Sequence, residues 1–175
     1  TVDTVAVEHQ TALRVAVRVR GHATVDGRRL DLISRLEFFA GLSVARIRCT
    51  IRNPDRARHP GNYWDLGDPG SVLIEDASLV LDLAETVGRL SASNELAQPP
   101  HEVPLPFELY QDSSGGDAWN SANHINRLRR VPAAFRGYRV SAGGTVTTGL
   151  RATPLVLAET GGTRVGLAVP AFWQN

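Results

Sequence analysis

The stretch Leu13-Arg14-Val15-Ala16-Val17-Arg18-Val19-Arg20 places an apolar residue at every second position, with mostly arginine between them. Side chains two residues apart lie on the same face of a β-strand, so this stretch predicts a strand with one apolar and one charged face. Asp26-Gly27 follows as a turn signal, and residues 29–39 and 44–52 repeat the strand pattern. We therefore predict an antiparallel meander of three or four long strands with one buried face.

The rest of the chain carries short apolar segments between turn residues. They predict strands over 72–74, 78–83, 107–110, 136–141, 145–152, 155–159 and 164–169. Residues 91–106 are polar and predict a connection, and only 84–90 and 120–128 are compatible with a helical turn. Many short strands at regular spacing indicate an all-β fold, an antiparallel β-sandwich of the supersandwich type with few or no helices.

The domain organisation follows from the same pattern. We predict that residues 1–90 form the end of an N-terminal β domain and residues 91–175 a central β-sandwich region. One continuous β-sandwich is the alternative. Because the chain has no methionine and ends on Phe172-Trp173-Gln174-Asn175, we expect a piece of a longer protein or a processed product. Localisation is left open between extracellular and cytoplasmic in a bacterium.

Composition excludes several functions. The formal net charge is +1, which gives no reason to expect nucleic acid or a membrane as a partner. All 19 basic residues are arginine, so no lysine can act as a Schiff base or general base in this chain. The single cysteine, Cys49, allows no intrachain disulfide, and its place in an apolar alternation predicts a small core residue.

Two segments are richer in polar and aromatic residues than a β-core requires: residues 59–71 and residues 111–124. An aromatic ring can stack on the C–H face of a sugar, while carboxylates and amides bond its hydroxyls. The segments therefore predict a carbohydrate-binding surface. Its candidate residues are Tyr63, Trp64, Asp65 and Asp68 with His59 beside them, and Trp119, Asn120 and His124. The alternative is two long loops whose polar groups bond the backbone.

Other chemistry at these segments is less well supported by the spacing. His124 is the one candidate catalytic base, with Asp112 or Asp117 near it. We predict no cofactor and no metal, although Asp65 and Asp68 could be two oxygen ligands of Ca²⁺. A uronate carboxylate could pair with Arg127, Arg129 and Arg130, the alternative being a solvated turn.

Three stretches carry a resemblance to a known family. They are Tyr63-Trp64-Asp65-Leu66-Gly67-Asp68-Pro69-Gly70-Ser71, Gln111-Asp112-Ser113-Ser114-Gly115-Gly116 with Trp119 and His124, and Phe135-Arg136-Gly137-Tyr138 leading to Phe172-Trp173-Gln174-Asn175. With them the chain resembles the exo-acting rhamnogalacturonan lyases and their YetA-like bacterial relatives. The resemblance implies a β region that precedes a helical catalytic domain, which this chain lacks. It also implies β-elimination beside a uronic acid in the whole protein.

We therefore expect a carbohydrate-associated β-sandwich module that contributes to glycan binding in a rhamnogalacturonan lyase-like protein. The partners we expect are a polysaccharide or oligosaccharide and an additional domain of the same parent protein. Two alternatives stay open. The chain is itself a polysaccharide lyase, or it is a structural domain that braces a missing catalytic domain. In the binding hypothesis, both polar segments meet on one rim.

Overall fold

The computed structural model describes residues 1–55, 71–121 and 130–174, and every structural statement below concerns these residues. They contain strands and no helix, which confirms the predicted all-β class. The strands are β1 (Val2–Gln10), β2 (Arg14–Val25), β3 (Arg28–Phe39), β4 (Ala45–Arg52), β5 (Arg89–Ser93), β6 (His101–Val103), β7 (Phe107–Gln111), β8 (Tyr138–Ala142), β9 (Thr145–Gly149), β10 (Leu155–Glu159) and β11 (Arg164–Ala168).

Contacts divide the chain into two compact units, Thr1–Ser78 and Leu79–Asn175. The division predicted between residues 90 and 91 lies farther along the chain and would cut through β5. The described residues include no helix that could span a membrane.

The first unit contains a four-stranded antiparallel sheet in the order β1-β2-β3-β4. Asp26 and Gly27 join β2 to β3 with φ values of 48° and 74°. Two successive residues with positive φ match the twist of a two-residue hairpin, which is why an Asp-Gly pair suits this position. The predicted meander is confirmed, and it has four strands.

The apolar face of this sheet is not covered as we predicted. One row across the strands holds Val7, Val17, Leu36 and Ile47. The side chains on the outer strands are open to solvent, with Val7 58% and Ile47 50% exposed. Cys49 lies on the same face in β4 and is exposed, so its prediction as a core residue is wrong. The alternation identified the face correctly, but no second sheet of the first unit packs on it among the described residues.

The opposite face of the sheet is charged, and we call it the charged face. Each of its four carboxylates bonds at least one cationic side chain. Asp3 and Glu8 are the two β1 residues at irregularities of the β1–β2 register. A β-bulge can redirect a side chain, and both carboxylates reach basic side chains on β2 and β3. The ion pairs are Arg29 with Asp3, Arg18 and Arg35 with Glu8, Arg29 with Asp31, and Arg14 and Arg46 with Glu37. The His22 ring also contacts Asp3, with 2.8 Å between Nδ1 and Oδ1.

The second unit contains two sheets, one in the order β11-β10-β5-β6 and one in the order β7-β8-β9. Each has a small buried cluster: Leu90, Ala92 and Val103 in the first, and Tyr138, Val140 and Ala152 with the second. Phe107 packs against both clusters, so one side chain contacts residues of both sheets. This contact is compatible with the finer sandwich arrangement, which stays a prediction.

Several local predictions are wrong in the second half of the chain and just before it. Residues 72–74 and 78–83 are not strands, and 84–90 forms no helical turn. The segment expected as a polar connection, 91–106, contains most of β5 and all of β6. β5 is rich in serine and alanine and is a central strand between β10 and β6, where small side chains allow close packing.

Candidate functional site

The loop after β7 is held by a buried glutamine. Gln111 is 7% exposed and its Oε1 accepts a hydrogen bond from the Ala152 N–H at 2.9 Å. Its Nε2 donates to the carbonyl of Leu150 at 3.0 Å and also to that of Ser113. All of these partners are backbone groups. The glutamine therefore ties the loop to the segment that follows β9, and it does not face a ligand.

Asp112 and Ser113 continue this anchoring. Asp112 Oδ2 accepts from the backbone N–H groups of Ala134 at 2.5 Å and Phe135 at 2.7 Å. The buried Ser113 Oγ accepts from the Gly137 N–H at 2.8 Å. Asp and Ser side chains can accept hydrogen bonds from loop N–H groups that have no partner in a strand or helix. Part of the polar excess that predicted a binding surface is therefore used to fix the loop.

Two glycines let the loop and β9 approach closely. Gly137 has a φ of +81°, and a Cβ there would lie 2.0 Å from the Gly149 carbonyl oxygen. A Cβ on Gly149 would lie 2.3 Å from the Tyr138 ring. Only glycine fits both positions without movement of the backbone or the ring. The close approach brings the second half of the loop against the end of β9.

An open recess of about 510 Å³ lies beside this contact. We call it the loop recess. Its volume falls within the range of small-ligand sites. Four charged side chains line it together with backbone of the adjoining loop and of β9. The lining residues are Glu95, Gly115, Gly116, Asp117, Arg136, Gly149, Leu150 and Arg151.

The two arginines of the loop recess differ in their partners. Arg136 pairs with Asp117 at 2.5 Å, and its Nε donates to the Gly115 carbonyl at 3.0 Å. Arg151 donates to the Ser114 carbonyl at 3.2 Å and lies over Trp173, with 4.7 Å between the guanidinium carbon and the ring centroid. No carboxylate of the described residues lies within 4 Å of Arg151. Its charge is available for an anionic ligand.

Glu95 supplies the second carboxylate of the recess. The Tyr138 hydroxyl donates a hydrogen bond of 2.8 Å to Glu95 Oε1. Burial, followed by this hydrogen bond and the charge of Glu95, raises the pKa of Tyr138 to about 12. The tyrosine is thus a permanent donor at neutral pH, and it holds Glu95 at the edge of the buried cluster.

Among the carbohydrate-binding residues predicted from the sequence, two are described. Trp119 is half-buried and its backbone N–H donates to the Gly116 carbonyl at 3.3 Å. Asn120 is exposed. Neither lines the loop recess. Arg130, one of the three predicted uronate contacts, is exposed and likewise absent from the lining.

The other predicted site residues lie outside the described residues. They are His59, Tyr63, Trp64, Asp65 and Asp68 in the first segment, and His124, Arg127 and Arg129 in the second. The single rim that would join both segments therefore stays a prediction, as does the role of His124 as a base. Of its two suggested partners, Asp112 bonds loop backbone and Asp117 bonds Arg136.

The sequence patterns did not identify Arg136, Arg151, Glu95 or Trp173 as site residues. Phe135-Arg136-Gly137-Tyr138 and Phe172-Trp173 stood out only as parts of the resemblance. The available signal was the pair of glycines at 137 and 149, since close backbone approaches often border a site. In the described parts of the chain, no group of three or more histidine, cysteine or carboxylate side chains could hold a metal ion.

Comparison with known proteins does not assign this site. No family model matches the chain, and no curated protein and no solved structure matches it.

Proposed function

We propose that the second unit binds an acidic saccharide at the loop recess, as a glycan-binding module. The observation that carries this proposal is the side chain of Arg151, which lines the recess, stacks on Trp173 and has no carboxylate partner among the described residues. A guanidinium in this state suits bidentate pairing with a uronate carboxylate. The recess would then take the charged end of a uronate-containing oligosaccharide.

The carboxylates of the recess support a saccharide over a simple anion. Glu95 and Asp117 accept hydrogen bonds, and sugar hydroxyls donate them. A uronate can bond both carboxylates through its hydroxyls while its own carboxylate meets Arg151, whereas a sulfate ion has no hydroxyl to donate. Arg136 keeps Asp117 in place through their ion pair. Because Asp117 neutralises Arg136, the positive charge available at the recess is that of Arg151.

Titration with galacturonate-containing oligosaccharides tests the proposal. We expect Arg151→Gln to weaken binding about tenfold, which corresponds to the loss of one charge-assisted pair. Arg164→Gln is the matched control, because Arg164 is exposed on β11, pairs with Glu159 and does not line the recess. Equal binding by the wild type and Arg151→Gln would exclude the recess.

The same titration separates this proposal from the other hypotheses. If Trp119→Ala weakens binding and Arg151→Gln does not, the predicted rim binds the saccharide in place of the recess. Carboxyl-reduced oligosaccharides should bind weakly to both the wild type and Arg151→Gln. Growth of ultraviolet absorbance from an unsaturated uronate during incubation would instead make the chain a lyase.

A different observation favours the bracing role as a second candidate. The apolar face of the first sheet exposes large side chains on both outer strands, among them Val5 at 65% and Ile51 at 45%. Contiguous exposed apolar surface on a sheet marks an interaction site. We propose an additional domain of the same parent protein as its partner. Oxidative footprinting should then show Phe38, 47% exposed here, protected in a longer chain; equal labelling in both would exclude this role.

A further inference from the structure

The charged face of the first sheet carries more arginine than its carboxylates neutralise. Its ion pairs use the four carboxylates Asp3, Glu8, Asp31 and Glu37. Three further arginines on the same face, Arg20, Arg48 and Arg52, have no carboxylate within 4 Å among the described residues. The face is therefore locally cationic, although the whole chain has a net charge of only +1.

The register places like charges side by side on this face. Arg18 pairs in register with Arg35, and Arg35 with Arg48, so three arginines form one row across β2, β3 and β4. Glu8 bonds the first two and does not reach the third. Like charges directly opposite one another destabilise a sheet. An external anion over the row would supply the missing negative charge.

Arg20 and Arg52 extend the cationic surface to a neighbouring depression. Both line a cavity of about 270 Å³ together with Asp3, Thr4, Arg29 and Asp31. Arg20 is the register partner of Ile33, and Ile33 that of Thr50, which lies two residues from both Arg48 and Arg52. The three arginines that lack a carboxylate partner among the described residues thus surround Ile33 and Thr50. Their Cα atoms are about 12–13 Å apart, because Arg20 lies two strands from the other two and Arg48 and Arg52 are four residues apart.

We infer that this face binds a polyanion, and specifically an acidic polysaccharide. Arg48 lies in the row, and Arg20 and Arg52 line the depression beside it. This arrangement suits a chain with a negative charge at each unit, because one charge would meet Arg48 and another Arg20 or Arg52. Single-stranded nucleic acid would also require aromatic stacking platforms. The described residues of this face offer one phenyl ring, Phe39, and Arg46 lies 5.8 Å from its centroid.

This inference concerns the first unit and does not depend on the loop recess of the second. The test measures binding of polygalacturonate to the full chain at low and high salt. We expect Arg20→Gln/Arg48→Gln/Arg52→Gln to bind about tenfold more weakly at low salt and to lose most of the salt dependence. The triple variant should weaken polymer binding by the same factor in the Arg151→Gln background as in the wild type, which separates the face from the recess.

The matched control is Arg28→Gln/Arg89→Gln/Arg164→Gln. It changes the net charge by the same amount with exposed arginines that lie outside the row and both cavities. Equal weakening by the two triple variants would overturn the inference, since the effect would then be net charge alone. Equally tight binding of single-stranded DNA would also overturn it. Arg48→Gln alone, with an unchanged melting temperature, guards against a folding defect and should still weaken binding.

Discussion

The two units use polar side chains in opposite ways. On the charged face of the first unit, carboxylates bond arginines of neighbouring strands, and the pairs remain in contact with water; the Arg35 and Glu8 side chains are 40% and 25% exposed. In the loop of the second unit, Gln111 and Ser113 are buried and bond backbone groups. Exposed ion pairs contribute little to stability, whereas an unsatisfied buried donor or acceptor costs far more.

The contrast implies that the second unit is sensitive to single substitutions and the first is tolerant of them. The sheet of the first unit is specified by its backbone ladder and by the alternation of its strands, so the loss of one charged pair leaves the ladder intact. The loop of the second unit has no ladder of its own. Its backbone conformation depends on three consecutive side chains and on the glycines that admit them.

The largest effect is expected from Gly137→Ala. The substitution combines a positive φ with a Cβ 2.0 Å from a carbonyl oxygen, so the loop or β9 must move. We expect the free energy of unfolding to fall by about 4 kcal/mol or more. Gly144→Ala is the matched control, because φ is +85° and nothing lies within 4 Å of its Cβ. It should cost about 1 kcal/mol in urea unfolding. Similar losses in both would show that the close approach is unimportant.

The next largest effect is expected from Gln111→Leu. The substitution keeps a side chain of similar size but removes the partner of the Ala152 N–H and of the Leu150 carbonyl. We expect a loss of about 2–4 kcal/mol in the urea unfolding of the second unit, because buried backbone groups would be left without partners. Glu108→Leu on the same strand is exposed and should change stability little. A loss smaller than that of the control variant would contradict the anchoring role of Gln111.

The same contrast explains how much the sequence could predict. The meander followed from alternation and an Asp-Gly turn, because both are local signals. Whether another layer covers the apolar face could not be predicted from the same signals. Cys49 was predicted to be a core residue because the face was assumed to be covered, and it is exposed. Period two identifies which side chains share a face and is silent on what packs against them.

The candidate site was harder to predict than the fold. Residues 111–113 read as an exposed polar loop, since Gln, Asp and Ser are common at surfaces. Most of their partners are backbone groups 22 to 41 residues away along the chain. Arg151 and Trp173 are likewise brought to the loop by strand pairing rather than by sequence proximity. Side chain to backbone contacts over such separations leave no periodic signal.

A smaller and pH-dependent effect is expected at Tyr138. Its pKa is raised to about 12 by burial and by Glu95, so the fold favours the neutral phenol. The stabilisation is complete below about pH 10, the usual tyrosine pKa, and is lost as the pH rises from 10 to 12. We expect a loss of about 1 kcal/mol over this range, after allowance for solvent screening.

Absorbance of tyrosinate measures this titration directly. The wild type should show a component near pH 12 that is missing in Tyr138→Phe. Tyr110 should also titrate above its ordinary pKa, because its hydroxyl donates to Asp112 and ionisation would place two negative charges together. If the component removed in Tyr138→Phe titrates near pH 10, the buried contact with Glu95 does not form in solution.

The smallest effect on stability is expected on the charged face. The hydrogen bond from Arg35, with the charges of Arg35 and Arg18, lowers the pKa of Glu8. A lowered pKa means that the ion pairs stabilise the fold above the usual glutamate pKa and lose this contribution as the pH falls through the folded value.

Carboxyl NMR should show the pKa of Glu8 return toward its ordinary value in Arg35→Gln. Arg48→Gln is the matched control, since Arg48 is the register partner of Arg35 and does not bond Glu8. Neither variant should change urea unfolding measurably. A large loss in Arg35→Gln would mean that exposed pairs hold the first unit as firmly as buried bonds hold the second.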